Sequence, residues 1–369
     1  MQSVGVLYGG PSPEHDVSVL TGLQAARVLC EEGFPTQGLY WSRDGRWYLV
    51  PALLEADAFV AGVPETAEPL AIRADGTLAA FQRRLRLGRV QDIDIDVIFN
   101  CCHGGPGEDG TLQGWLDLLQ FRYTGPSARA AALGMDKLAF SGVMAACGIP
   151  TLPRAPALLD NLPTGSFPPP WIMKPRFGGS SIGIAIVEDE AEANRELKES
   201  PHYRQGAVVE PYLAYAIDLN VGWRSNGHPR FSAIERPLRT DSSHYSYEEK
   251  YLLGEGLAGA ARELPAQLDG EVESRLLALT ERVAQVVDLR GAPRVDFLLD
   301  KEGRLFVNEV NTIPGALGFY LWRATGVPYG ELARGMLAEA QIRGLASGPG
   351  LGANGAALKR AGGIAAKLA

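Results

Sequence analysis

The chain is poor in the residues that staple small secreted proteins or hold soft metals, with 4 cysteines and 5 histidines among 369 residues. Cys30, Cys101, Cys102 and Cys147 show no C-x-x-C spacing, so neither a disulfide framework nor a thiolate zinc site is expected. Buried free thiols in a reducing compartment are the simpler reading. An excess of basic charge is also missing. The formal net charge is −8 and the isoelectric point about 5.3, which argues against a nucleic-acid partner. No apolar run is long enough to cross a bilayer, and Met1-Gln2-Ser3 opens no basic leader, so a cytoplasmic protein without a membrane partner is expected. The Walker A signature G-x-x-x-x-G-K-[ST] does not occur, so any nucleotide must be held by other means.

What remains is the composition of an ordinary globular protein, 46% hydrophobic and 21% charged, with length for two or three domains. Its most informative stretch is 294–311, two runs rich in β-branched and aromatic residues around Lys301-Glu302-Gly303, the pattern of a β-hairpin. A turn centred between Glu302 and Gly303 sets Asp296 opposite Glu309, Arg294 opposite Asn311 and Asp300 opposite Leu305. Arg294, Asp296, Glu309 and Asn311 then share one face, while Val295, Phe297, Asn308 and Val310 point the other way. Opposed carboxylates repel unless a cation lies between them, and oxygen ligands without Cys or His suit Mg²⁺, which commonly arrives with phosphates. The alternative is a hairpin whose charged face meets water.

Along the chain, an apolar strand from Val4 leads through Gly9-Gly10-Pro11-Ser12-Pro13-Glu14-His15 into a helical period of Val17, Leu20, Leu23, Ala26 and Leu29. This is the start of an open α/β layer, whose strand-to-helix loops face a ligand crevice. Glu14 is a candidate there, or simply a helix-start charge. Residues 40–91 break into short patches that cannot be assigned. A strand at 93–99 enters a second glycine-dense loop, with His103 at its mouth as a candidate or as a structural histidine, followed by a helix at 112–120. Residues 128–147 read as one helix. The strand ending at Lys174 is followed by Gly178-Gly179-Ser180-Ser181-Ile182-Gly183 and another strand; a flexible loop with a lysine at its base can fold over phosphate oxygens. Gly179 to Gly183 also fits G-x-S-x-G, but a hydrolase elbow requires a helix after the serine. The acidic-aromatic run 244–251 reads as a lid or as a surface loop.

Taken together, Glu14-His15, His103 with Gly107-Glu108-Asp109-Gly110-Thr111, Met135-Asp136-Lys137, Lys174-Pro175, the 179–183 loop, Glu248-Glu249-Lys250-Tyr251, Arg294-Val295-Asp296 and Glu309-Val310-Asn311-Thr312-Ile313-Pro314-Gly315 resemble the D-alanine:D-alanine ligases of the ATP-grasp superfamily, over 4–343. The resemblance implies an α/β and α+β chain of three domains, an N-terminal open parallel α/β substrate domain (1–124), a central domain (125–213) and a C-terminal domain (214–345), with ATP between the last two and an Ala/Gly-rich tail after them (346–369). It implies peptide-bond formation through an acyl phosphate, with D-alanine and ATP as substrates and a pair of Mg²⁺ ions, for which Mn²⁺ can substitute, in a homodimer.

The residue roles follow from the same resemblance. Asp296, Glu309 and Asn311 are expected to ligate metal. Lys137, Lys174, Ser180, Ser181, Glu210, Tyr212, Leu213 and Asp218 are expected at ATP, with Asp218 standing one residue out of the usual spacing. Glu14, Ser180, Tyr251, Arg294 and Gly315 are expected in catalysis, Arg294 and the Gly315 N–H at the oxyanion. His103, Lys250, Tyr320 and Leu321 are expected at the amino-acid substrates. One departure stands out: the family's Ser/Thr-rich turn reads Ala316-Leu317-Gly318-Phe319-Tyr320-Leu321-Trp322 here, with Tyr320 where a serine binds the acceptor carboxylate. A different amino- or hydroxy-acid acceptor, such as D-serine or D-lactate, is therefore a competing expectation, and a non-catalytic nucleotide-binding regulator is another.

Overall fold

The computed structural model describes residues 2–73, 76–82, 89–162, 167–179, 181–225, 228–238, 261–343 and 355–360. The expectations attached to Ser180, Lys250, Tyr251 and most of the tail lie outside these residues. Among the described residues the sheets use sixteen strands: β1 (Val4–Gly9), β2 (Thr36–Trp41), β3 (Trp47–Val50), β4 (Glu68–Ile72), β5 (Leu78–Gln82), β6 (Arg89–Ile93) and β7 (Val97–Asn100) in the first, ordered β6-β5-β4-β3-β2-β1-β7. The second, ordered β10-β9-β11-β8, contains β8 (Ala155–Ala157), β9 (Trp171–Pro175), β10 (Ala185–Val187) and β11 (Ala207–Pro211). The third, ordered β14-β13-β12-β15-β16, contains β12 (Ile217–Ser225), β13 (Pro229–Pro237), β14 (Arg262–Glu263), β15 (Arg294–Leu299) and β16 (Leu305–Asn311).

In the first sheet β1 pairs in parallel with β2 and β7, and the other pairings are antiparallel. The expected parallel sheet is therefore mixed. Its antiparallel part is the unassigned region 40–91, and the tight turn at Arg43-Asp44-Gly45 between β2 and β3 shows why: a connection this short admits only an antiparallel neighbour. β1 is buried along its whole length because both faces are covered. Val4, Val6 and Tyr8 pack in one core with Ala25, Ala26 and Leu29 of helix α1 (His15–Glu31), whereas Leu7 joins Leu112 and Leu116 of the helix Thr111–Leu118 in another.

The segment 128–147 is two helices, Ala128–Met135 and Lys137–Ala146, not one. Asp136 has extended backbone between them, and its Oδ1 accepts from Leu138 N and Ala139 N, both at 3.1 Å. The carboxylate caps the second helix, which a continuous apolar period does not reveal. In the third sheet Leu219, Val221, Val295, Phe297 and Val307 face Leu276, Val283, Ala284 and Val287 of the helix Gly270–Val287. That helix is stopped at its amino end by Asp269, whose side chain accepts from Glu271 N at 2.8 Å.

The hairpin forms as expected near the site and differs at its far end. Arg294 pairs with Asn311 and Asp296 with Glu309, but Phe297 then pairs with Val307 and Leu299 with Leu305. Asp300 is thus not opposite Leu305. A β-bulge at Asn308 absorbs one residue, and Asn308 leaves the core-facing row to which strict alternation assigns it.

Candidate active site

The second and third sheets face each other across a cleft, and loops of the first sheet close one end of it. On β9 and β11 the side chains sort by alternation. Trp171, Met173, Ala207 and Val209 enter a core, which leaves Ile172, Lys174 and Glu210 on the cleft side. Glu210 is almost fully buried, and both its oxygens are engaged, one by Lys174 Nζ and the other by Arg154 Nε. Burial alone would raise its pKa, but Arg154 and Lys174 pull the carboxyl down to about 2. Arg154 extends the network through Nη2 to the Asn308 carbonyl at 2.7 Å and to Asn308 Oδ1 at 2.8 Å, while Lys174 Nζ donates to the same Oδ1 at 3.3 Å.

Lys137 opens the helix capped by Asp136, and Arg176 fixes that cap with bonds of 2.8 and 2.6 Å. Its Nζ donates to the Gly178 carbonyl at 2.5 Å and stands 3.9 Å from Glu309. Burial lowers the Lys137 pKa, with Glu309 opposing the effect. One ammonium therefore touches both the base of the glycine-serine loop and the acidic hairpin. Ser181 has a left-handed φ of 58° there, and a strand, β10, follows. The hydrolase elbow is thereby excluded on geometry.

Across the third sheet one row of residues runs Glu309, Asp296, Asn220, Glu235 on β16, β15, β12 and β13. Asp296 receives Arg294 Nε at 2.6 Å, Arg294 Nη2 at 2.7 Å and Asn311 Nδ2 at 2.9 Å. Burial disfavours the Arg294 charge, but Asp296 more than offsets this and holds the guanidinium firmly protonated. Among the described residues no group of three or more His, Cys, Asp or Glu forms a metal cluster. The residues expected at metal, Asp296, Glu309 and Asn311, offer two carboxylates and an amide oxygen, and an all-oxygen set of this kind is compatible with Mg²⁺.

At the end closed by the first sheet, Glu14 begins α1 and His103 and Glu108 lie in the loop after β7. A Cβ on Gly104, whose φ is +62°, would come within 2.5 Å of Glu14 Oε2, so this glycine permits the close approach of loop and carboxylate. A Cβ on Gly179 would lie 3.9 Å from the same oxygen, which sets the glycine-serine loop beside Glu14. His103 Nδ1 meets the Ile313 carbonyl at 2.7 Å and Nε2 meets Thr21 Oγ1 at 2.8 Å. Thr21 Oγ1 also accepts from Ala316 N at 3.0 Å. The network assigns a neutral ring with the proton on Nδ1, in agreement with burial, which lowers its pKa. Glu108 accepts from Ile313 N and Gly104 N at 3.0 Å and from Thr312 Oγ1 at 3.1 Å. Burial, followed by Glu14, raises its pKa to about 7.

Glu14, His103, Lys137, Lys174, Ser181, Glu210, Tyr212, Leu213, Asp218, Arg294, Asp296, Glu309, Asn311, Gly315 and Tyr320 all line the cleft. Leu321, also expected at the substrates, is not among the lining residues, and its side chain is fully buried. Arg154, Asn308, Glu235 and Arg262 belong to the site although sequence reasoning passed over them, and so does Glu108, which stands in one of the family motifs without an expected role. Arg154 stands in a proline-rich stretch without periodicity, and Asn308 was assigned to the wrong face by an unbroken alternation. The Val-Asp-Phe and Asn-Glu-Val segments of the hairpin, however, gave no warning of the bulge between them.

A cleft between two antiparallel sheets, with a glycine-serine loop instead of a Walker loop above its lysines, belongs to the ATP-grasp ligases. Residues 3–126 match the family model described as D-ala D-ala ligase N-terminus, and residues 163–338 the one described as D-ala D-ala ligase C-terminus. The D-alanine–D-alanine ligase of Synechococcus sp. (strain RCC307) is 31% identical over 357 residues, covering 92% of this chain and 98% of the relative. That of Bacillus velezensis is 30% identical over 357 residues, covering 91% and 97%. The D-alanine-D-alanine ligase structure from Coxiella burnetii has a TM-score of 0.74 at 24% identity, over 93% of this chain and 94% of that one. A D-Ala:D-Ser ligase structure from Enterococcus faecalis has the same TM-score of 0.74 at 22% identity, over 92% and 99%. These structural likenesses carry the fold. The chain belongs to the D-alanine–D-alanine ligase family.

Proposed function

We propose that this chain joins two molecules of D-alanine into D-alanyl-D-alanine, a precursor for peptidoglycan, with hydrolysis of ATP to ADP and phosphate. The observation that carries the reading is the convergence on one cleft of Lys137 and Lys174, the Asp296, Glu309 and Asn311 donor set, and Glu14 and His103. The division into 1–124, 125–213 and 214–345 is retained, with nucleotide held between the last two. Asp296, Glu309 and Asn311 would hold Mg²⁺, as a pair of ions that Mn²⁺ can replace. When bound, the metal offsets charge on the transferring phosphoryl group.

Lys137 and Lys174 orient the phosphates, and the 178–183 loop covers them. A carboxylate oxygen of the first D-alanine attacks the γ-phosphorus, and the bond to the β-γ bridging oxygen breaks, giving an acyl phosphate and ADP. Glu14 is suited to the ammonium of this donor, with neutral His103 behind it. The amine of the second D-alanine, having lost a proton, attacks the acyl carbon, and phosphate departs with its oxygen. Arg294 and the Gly315 N–H address the oxyanion, where one good donor contributes roughly 3 kcal/mol. Glu210, Tyr212, Leu213 and Asp218 are assigned to the nucleoside, and Ser180, Lys250 and Tyr251 to closure of the site. A homodimer acting in the cytoplasm completes the reading.

Phosphate release with Mg-ATP and D-alanine alone tests it: D-alanine-dependent turnover with dipeptide as product is expected, and none would sink it. Tyr320 favours keeping a second acceptor in the assay. If D-serine or D-lactate replaces D-alanine more than tenfold faster, the acceptor assignment changes and the acyl-phosphate step stands.

A further inference from the structure

We propose that Arg262 is the residue that fixes the acceptor's carboxylate, and that Glu235 and Tyr320 position it there. This rests on the ligase reading above and deepens it at the acceptor end. Among the described residues four Lys and Arg side chains line the cleft: Lys137, Lys174, Arg262 and Arg294. Lys137 lies at the hairpin carboxylates, Lys174 on Glu210, and Arg294 is spanned in two bonds by Asp296. Arg262 is ion-paired with Glu235 and lies on β14, the far edge strand of the same sheet.

Register makes the arrangement definite. Pro237 pairs with Arg262, so Glu235, two residues earlier on β13, shares its face. Glu235 in turn ends the row that begins at Glu309 and Asp296. Two strand steps of about 4.8 Å each separate Asp296 from Glu235, roughly the reach from a metal-bound phosphoryl group through the acyl carbon to the end of one further residue. The cation is held on two sides. Arg262 Nη1 donates to Glu235 Oε1 at 3.0 Å, and its guanidinium carbon lies 4.7 Å from the centre of the Tyr320 ring. Tyr320 Oη donates at 2.8 Å and Asn220 Nδ2 at 3.1 Å to the other oxygen of Glu235.

Tyr320 therefore spends its hydroxyl on Glu235 and presents its ring to the guanidinium. A planar guanidinium stacked on an aromatic face is preoriented, and its fork geometry matches a carboxylate. The serine hydroxyl that the family resemblance leads one to expect for the acceptor is replaced by a positioned charge. The acceptor so recognised is an amino acid with a free α-carboxylate, and its amide is rejected.

D-alaninamide decides this, because it has an amine but no carboxylate and so can serve only as acceptor. The purified full chain is given Mg-ATP and an equimolar mixture of D-alanine and D-alaninamide, and mass spectrometry measures the ratio of dipeptide to dipeptide amide. The ratio is internal to each reaction and does not depend on how much of a variant is folded. For the unaltered chain it is expected on the order of 100 or more, since a site built around a polar group strongly rejects the analogue lacking it. In R262Q it is expected to fall to within about threefold of unity, and in R262K to lie between, because the ammonium keeps the charge and loses the fork. An unaltered ratio in both variants, or a ratio near unity in the unaltered chain, overturns the assignment. Phosphate release with D-alanine alone is scored separately: its absence in the unaltered chain removes the ligase reading and this one together. Turnover with undiminished discrimination in R262Q and R262K removes only the role of Arg262.

Discussion

At the scale of single residues the site is governed by how buried charges are compensated. Glu210 is 1% exposed and would be costly there without its two cations. Its folded pKa of about 2 lies below the ordinary 4.5, so the ionised form is the one the fold prefers. Its contribution to stability is complete above pH 4.5 and is lost as pH falls towards 2, and it amounts to about 3 kcal/mol by linkage. Glu210→Gln strips the counter-charge from Arg154 and Lys174. A loss of about 3–5 kcal/mol is expected at pH 7 by urea denaturation, with a shallower fall in stability between pH 4.5 and 2 than in the unaltered chain. Equal acid limbs in the two proteins would show that the network does not act through Glu210 ionisation.

Moving to whole elements, the β15-β16 hairpin shows how far sequence reaches. Period-two alternation and a Gly-containing turn were enough to pair Asp296 with Glu309 and Arg294 with Asn311, because those pairs lie on the cleft side of the bulge. Beyond it each pairing shifts by one residue. The cause, Asn308, has an acceptor demanded by Arg154 and Lys174, residues 154 and 134 positions away in sequence. A long-range polar contact of that kind leaves no local periodicity. The same is true of β3 to β6, whose short patches gain their burial only from neighbouring strands, and of Asp136, where a cap interrupts an apolar run. Lys137, Lys174 and the hairpin acids were legible because each lies in a short motif of fixed chemistry. Asn308→Ala removes the shared acceptor and lets both cations reorient, and an increase of about tenfold in KM for ATP, close to 1.4 kcal/mol, is expected. Steady-state kinetics at saturating D-alanine measures it, and an unchanged KM would leave the bulge as a packing feature only.

For the molecule as a whole, the question is how the first sheet's loops communicate with the nucleotide cleft. The links are polar and buried: Glu108 to Thr312 and Ile313, His103 to Ile313, and Thr21 to both His103 and Ala316. Ala316 and Leu317 have left-handed φ values of 48° and 53°, a conformation that costs roughly 1–3 kcal/mol for each residue without glycine. That turn carries Gly315 at one end and leads to Tyr320 at the other, and Thr21 of α1 pins its first amide. The His103 loop and the turn that leads to Tyr320 are thus tied through one hydroxyl. Thr21→Val keeps the shape but leaves the Ala316 N–H and the His103 ring nitrogen unsatisfied, at a cost of about 1–3 kcal/mol for a buried group. The ties from Lys137 and Lys174 to the loop and to Glu210 do not pass through Thr21. Thermal denaturation should therefore show that Mg²⁺ with a non-hydrolysable ATP analogue stabilises T21V as much as the unaltered chain. The further stabilisation on adding D-alanine, about 2.7 kcal/mol at a concentration of 100 Kd, should fall by about half in T21V, equivalent to tenfold weaker binding. Equal D-alanine increments in the two proteins would mean that the ends of the cleft are set independently, and that Thr21 only packs α1 against the turn.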